Sequence, residues 1–207
     1  MYRRITTMNR TLLFLIVTNS LIFLAEAMVG PIYALFVREV GGSLFSAGIA
    51  GAVFALVAGV ATLLSGKLSD RIRRHRLFIV LGYLIIGIGF ALYILVDTFN
   101  KLLLVEALIG FGQAVYGPPF SALYTKYVNA NTSAAQWSVW EAMTYFTTAV
   151  GALVGGMLVS NFGFHILFGA MSFIAFLSAF GVYKIPNAHP KGARTKLAPS
   201  FAAEGRS

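Results

Sequence analysis

The chain has 207 residues, of which 58% are hydrophobic and only 11% charged, with a mean hydropathy of +0.79. A soluble domain carries about 25% charged residues, so lipid rather than water is this chain's main solvent. The formal charge of +9 does not mark a nucleic-acid partner, because the positions of the basic residues explain it, and the lack of cysteine excludes disulfides, thiolate metal sites and thiol nucleophiles.

Six stretches reach the ~20 apolar residues needed to cross a bilayer: 11–37, 44–66, 77–96, 102–124, 134–159 and 164–185. Charge, Asn, Gly or Pro bounds each, and the links between them are short. The expectation is an all-α, six-transmembrane-helix bundle over 11–185 with no soluble domain. A basic segment, 1–10, precedes it. The tail 186–207 is rich in Lys, Arg, Ala and Pro without apolar periodicity and reads as disordered. Fourteen of the sixteen lysines and arginines fall on one side of this arrangement, and only Arg38 and Lys101 on the other. By the positive-inside rule both termini are cytoplasmic.

The first span opens like a secretory signal, with a basic leader, an apolar run and Ala25-Glu26-Ala27 as an imitation cleavage site. The apolar run continues to Val37 and a glutamate fits such a site poorly, so the segment is read as a span. Glu26 lies about fifteen residues into it, a rise of ~22 Å. At offsets of three and four it shares a helical face with Asn19, Phe23, Gly30 and Tyr33. A carboxylate at that depth costs roughly 2.5–3.5 kcal/mol or more if left charged. It therefore faces either a water-accessible cavity or a hydrogen-bonding partner in the packing. In the second span Gly51, Ala55 and Gly59 repeat every four residues, a small-residue face suited to close packing within the bundle.

The fourth span carries Glu106 near its outer end, where the side chain either reaches the headgroups or begins a polar face. That face continues through Gln113, Gly117, Phe120 and Tyr124, with Tyr116 beside it, and Pro118-Pro119 weakens the backbone ladder at that level. In the fifth span Glu141 follows Trp137 and Trp140, which read as interfacial anchors. Glu141 is either a coupling carboxylate or a buried partner of the basic loop, and Thr144 and Thr148 extend its side. Gly151 and Gly155 repeat the small-residue spacing. Enzyme chemistry has little to work with: His75, His165 and His189 lie near or outside the bilayer edges without metal-ligand spacing, and no phosphate-cradling loop occurs. No cofactor is expected.

Between the second and third spans the chain reads GKLSDRIRRH. This resembles the cytoplasmic loop of the major facilitator superfamily, G-x-L-x-D-R-x-G-R-[KR]. Gly66, Leu68, Asp70, Arg71 and Arg74 match it, while Arg73 stands at the second glycine and His75 at the final basic position. The family's fourth-span pattern R-x-x-x-G-x-G is met by Gly110 and Gly112, with Glu106 in place of the arginine. The exporters' G-P-x-x-G-G is met by Gly151, Gly155 and Gly156, with Ala152 in place of proline.

The resemblance implies one six-span half, a 3+3 inverted repeat, of a transporter normally built from two such halves around a midplane site. It implies alternating access, a small-molecule substrate, efflux over uptake, a plasma or inner membrane location, and protons as a coupling ion. The absent arginine sets the proton mechanism apart from that of family antiporters. On this reading Asn19, Glu26, Tyr33, Glu106, Gln113, Tyr116 and Glu141 line the pathway, and Gly66, Asp70, Arg71 and Arg74 form the conformational gate loop. A homodimer or a second six-span half completes the assembly. The alternative is a degenerate, non-transporting half that serves as a membrane scaffold or regulatory subunit.

Overall fold

The computed structural model describes residues 9–184; the basic leader up to residue 8 and the tail read as disordered lie outside the described residues. Within them all the regular secondary structure is helical. Helix α1, Arg10–Val29, starts at Asn9, whose side chain accepts from the Thr11 amide at 3.0 Å. Ala25–Ala27 sit in its regular ladder. A 3-10 turn, Gly30–Ile32, follows with Pro31 at its start, and α2, Tyr33–Glu39, completes the first span. Pro31 brings no N–H for the α ladder, so the first span is jointed where the sequence suggested one straight run.

Helix α3, Leu44–Ile72, begins with a capping box between Ser43 and Ser46. Helices α4, His75–Tyr93, and α5, Phe99–Tyr127, follow, and a 3-10 turn, Ala130–Thr132, leads into α6, Ser133–Lys184. Among the described residues, five helical stretches are long and apolar enough to cross a membrane. The last covers 55 residues, and at 1.5 Å per residue that is ~80 Å, far beyond a hydrocarbon core of about 30 Å. Gly163 interrupts it with φ 78° and ψ 176°, a conformation open mainly to glycine. The interruption divides α6 into arms 133–162 and 164–184. Asn129 caps the preceding 3-10 turn by accepting from the Asn131 amide, and Ser133 is already helical.

Helix α1 packs along α6, α4 lies between α5 and α6, and α3 rests on α5 alone apart from its ends. Only Ala50, Ser65 and Ser69 of α3 are buried. The two small-residue faces therefore part company. A Cβ on Gly155 would overlap the Met28 carbonyl, and one on Gly151 would meet Leu24 O and Ala27, so these glycines let α1 and α6 approach backbone to backbone. Around Gly51 and Gly59 nothing lies within 4 Å of such a Cβ. Their face is open, and the close packing expected within the bundle is absent there.

Proline does not break α5. Pro118 withholds the N–H that the Ala114 carbonyl, four residues back, would accept. Ser65 of α3 donates its hydroxyl to that carbonyl at 2.5 Å, so a neighbouring helix replaces the missing donor. Gly110 and Gly112 of the same helix abut the Phe54 carbonyl of α3 and the Gly82 carbonyl of α4.

The basic hairpin is tighter than its sequence suggests. Helix α3 continues through Gly66, Asp70 and Arg71, and only Arg73 and Arg74 are non-helical. Arg73 takes the left-handed conformation, φ 55°, and its N–H reaches Ser69 O at 2.8 Å. That is the closing geometry in which glycine is favoured. The residue standing at the family pattern's second glycine thus occupies the position that needs one. Ser69 Oγ and His75 Nδ1, 2.7 Å apart, span the turn from inside.

Candidate functional site

Helix α1 leans on α6 while α5 leans on α3 and α4, so α1 and α5 flank a cleft and touch little. Helix α4 closes its back. Polar side chains from five helices, α1, α2, α4, α5 and α6, meet in this cleft in two groups.

Nearer the basic loop, Asn19 of α1 donates Nδ2–H to Tyr83 OH of α4 at 3.1 Å and accepts from Trp140 Nε1 of α6 at 2.8 Å. Asn19 is 1% exposed and ties three helices together. Tyr116 of α5 lies edge-on to Tyr83, with ring centroids 4.9 Å apart, and within reach of the Asn19 and Gln113 amides. Gln113 Oε1 is buried without a partner. Trp140 is thus an internal donor rather than an interfacial anchor, and Trp137 packs on Tyr124 with centroids 4.5 Å apart.

Toward the opposite end, Glu106 is 5% exposed and does not reach the membrane surface. Its Oε1 accepts from Tyr33 OH of α2 at 2.5 Å and from Tyr93 OH of α4 at 2.6 Å. The clamp holds the half-helix beyond the Pro31 joint against α4 and α5.

Glu26 lies between the two groups. It is half-buried, and its Oε1 is sealed from solvent with no hydrogen-bond partner. The charged form of a carboxyl in that setting is costly, and its own surroundings supply no donor to that oxygen. Beside it is a cavity of about 310 Å³ lined by Glu26, Val29, Gly30, Tyr33, Gly51, Phe54, Phe90, Tyr93, Glu106 and Ile109. A second cavity, about 240 Å³, sits beyond the Tyr33–Glu106–Tyr93 clamp, among Phe36, Glu39, Tyr93, Asp97, His165 and Phe168. At its rim the Lys101 ammonium donates to Asp97 at 2.7 Å and holds that carboxyl below the usual range.

The structure brings together Glu26, Tyr33 and Glu106 around one cavity, and Asn19, Gln113 and Tyr116 in the group next to it. Glu141 does not join them: it is exposed on α6, and is no buried partner of the basic loop. Thr144 and Thr148 spend their hydroxyls on carbonyls of their own helix. Asp70, Arg71 and Arg74 are exposed, and the one ion pair among the described residues is Lys101–Asp97. Sequence reasoning missed Tyr83, Tyr93, Phe54 and Phe90. The tyrosines carried a signal, because a phenol deep in an apolar helix needs a hydrogen-bond partner.

The chain matches the Major Facilitator Superfamily over residues 15–204. It is 28% identical over 178 residues to the Multi-drug resistance efflux pump PmrA of Streptococcus pneumoniae, an alignment covering 83% of this chain and 44% of that one. It is 26% identical over 179 residues to Multidrug resistance protein MdtG of Proteus mirabilis, covering 82% and 43%. Against the protein of that name from Salmonella arizonae it is 31% identical over 165 residues, covering 77% and 40%. The chain spans less than half the length of these curated relatives.

Proposed function

The chain belongs to the Major Facilitator Superfamily, and from that premise we propose that it is one six-span half of a secondary transporter that exports a small solute by alternating access, coupled to protons. The two arms of α6 on either side of Gly163 are its fifth and sixth spans. Both termini face the cytoplasm of a plasma or inner membrane, as the fourteen-to-two division of basic residues supports.

One observation carries the reading: Glu26 Oε1 is buried and unpartnered beside a cavity in a multi-pass membrane protein. Here Glu26 takes and releases the coupled proton as the cleft opens to alternate sides. The titratable groups facing it are Tyr33 of α2, Tyr83 and Tyr93 of α4, and Glu106 and Tyr116 of α5. Among the described residues no cation lines the cavity beside it. The cleft between α1 and α5, with Gln113 and Tyr116 on its wall, is this chain's share of the pathway, and Asn19 braces it. The name of one relative as an efflux pump and this carboxyl support an antiport role.

A second half completes the cavity: another copy of the chain or a separate six-span partner. The unpaired Asp70 at the end of α3 then meets the start of the partner's α6, where the helix dipole is positive. Crosslinking in native membranes tests the assembly. A stable dimer or a half-sized partner supports transport, and Asp70→Asn weakens both the crosslink and solute movement. One rival is a non-transporting scaffold. A strictly monomeric chain that moves no solute in vesicles would establish that rival and end the present reading.

A further inference from the structure

Tyr93 lines both cavities. It forms part of the wall of the inner one, beside Glu26, and of the outer one, whose rim carries Glu39, Asp97 and His165 at the end of the bundle away from the basic loop. The side chain is buried and stands between the two spaces. Its ring is wedged against Phe36 of α2 and Phe168 of α6, with centroids 5.6 and 4.8 Å away. Its hydroxyl donates to Glu106 of α5, which also accepts from Tyr33 of α2. The partition is therefore a side chain rather than backbone, and a change of rotamer is enough to join the two spaces.

Helix α2 is placed to move with that side chain. It has only seven residues, Tyr33–Glu39, and follows the Gly30–Ile32 joint, where Pro31 brings no N–H. Just past its other end is Gly41, whose φ of 83° is open mainly to glycine. Breaks in the ladder at both ends let a short segment absorb a change of backbone angle. Two ties hold α2 against the bundle, one polar through Tyr33 and one aromatic through Phe36, and both converge on Tyr93. If α2 swings out, the two hydroxyls exchange their shared acceptor for water.

We infer that Tyr93 is the outer gate of the pathway, that the Tyr33–Glu106–Tyr93 hydrogen bonds latch it shut, and that α2 swings about the Pro31 joint and Gly41 when it opens. The inference rests on the pathway assigned above and adds its outer exit, from the cavity at Glu26 to the pocket at Glu39 and Asp97. Glu106 is a positioning residue here, since it acts through the two tyrosines.

Thiol labelling in membranes tests the gate separately from transport. The sequence contains no cysteine, so a single introduced thiol reports its own access. Val29→Cys places one on the wall of the inner cavity. Val182→Cys, fully buried and outside both cavities, is the control. A membrane-impermeant quaternary ammonium methanethiosulfonate is applied to each face of vesicles carrying the full chain. With the gate latched, Val29→Cys should react slowly from the face away from the basic loop. Glu106→Leu should raise that rate on the order of tenfold, because each lost hydrogen bond shifts the closed–open balance by a few-fold or more. Tyr93→Ala should raise it at least as much by removing the partition itself. Circular dichroism and gel filtration establish that each variant is folded. Native labelling already as fast as in Tyr93→Ala, or an unchanged rate in either variant, would overturn the inference. So would equal acceleration from the basic-loop face or at Val182→Cys, which would mean that the whole bundle had loosened. Gated labelling in a protein that moves no solute would keep the gate and remove the transport reading instead.

Discussion

Glu106→Leu is the perturbation whose outcome the structure specifies most closely. In the native chain one carboxylate oxygen accepts from Tyr33 and Tyr93 at 2.5 and 2.6 Å. Leucine keeps the volume and removes the acceptor, leaving two hydroxyls without a partner. A buried hydroxyl left unsatisfied costs about 1–3 kcal/mol. Tyr93 is 4% exposed and belongs at the upper end of that range; Tyr33 is half-buried and belongs at the lower. The single variant should therefore lose on the order of 2–5 kcal/mol, reduced somewhat because a buried carboxyl has also been removed. The triple variant Glu106→Leu, Tyr33→Phe, Tyr93→Phe has no polar group left in the clamp and should return to within about 1 kcal/mol of the native chain. Equilibrium unfolding by SDS in mixed micelles measures all three. A single variant as stable as the native protein, or a triple variant no more stable than the single, would refute the reasoning. The first result would mean that the clamp carries no net energy, the second that its hydroxyls were never the penalty.

The Ser65 hydroxyl should be worth about 1 kcal/mol, in the range measured for hydrogen bonds between membrane helices. Ser65→Ala should cost that much by SDS unfolding, and less in a Pro118→Ala background, where a backbone N–H again serves Ala114. Arg73→Gly should stabilise the chain by roughly 1 kcal/mol, because only the native arginine bears a side-chain penalty at φ 55°. Gly155→Ala should cost about 1–3 kcal/mol by forcing α1 away from α6, while Gly59→Ala on the open face of α3 should change the isolated chain by less than about 0.5 kcal/mol.

Much of the fold was legible because hydrocarbon leaves few options. The apolar stretches found their helices, and Gly163 interrupts the last of these between the expected spans 134–159 and 164–185. Glu26, Glu106 and Gln113 stood out because a polar group in lipid is costly, and the structure brings them to one cleft. What stayed hidden is mostly pairing. Glu106 has two tyrosine partners from different helices, and nothing in its own span names them. Gly51-Ala55-Gly59 and Gly151-x-x-x-Gly155 look alike as sequence, yet only the second meets another helix in this chain. Periodicity reports that a face is small, not whether anything packs on it. The hairpin was misjudged in length for a similar reason: charge ends an apolar run before it ends a helix, so the helix runs six residues past Gly66 to Ile72. Its stop depends on one left-handed residue, Arg73, whose identity gives no warning.

The most direct test of the transport reading is solute movement driven by an imposed pH gradient in vesicles carrying the purified chain, or the complex that crosslinking recovers with it. A small fluorescent compound serves as solute, and the native protein is compared with Glu26→Gln. The native protein should accumulate the solute on the acidic side, and Glu26→Gln should show no response to the gradient. Gradient-dependent movement that survives Glu26→Gln would contradict the role given to that carboxyl.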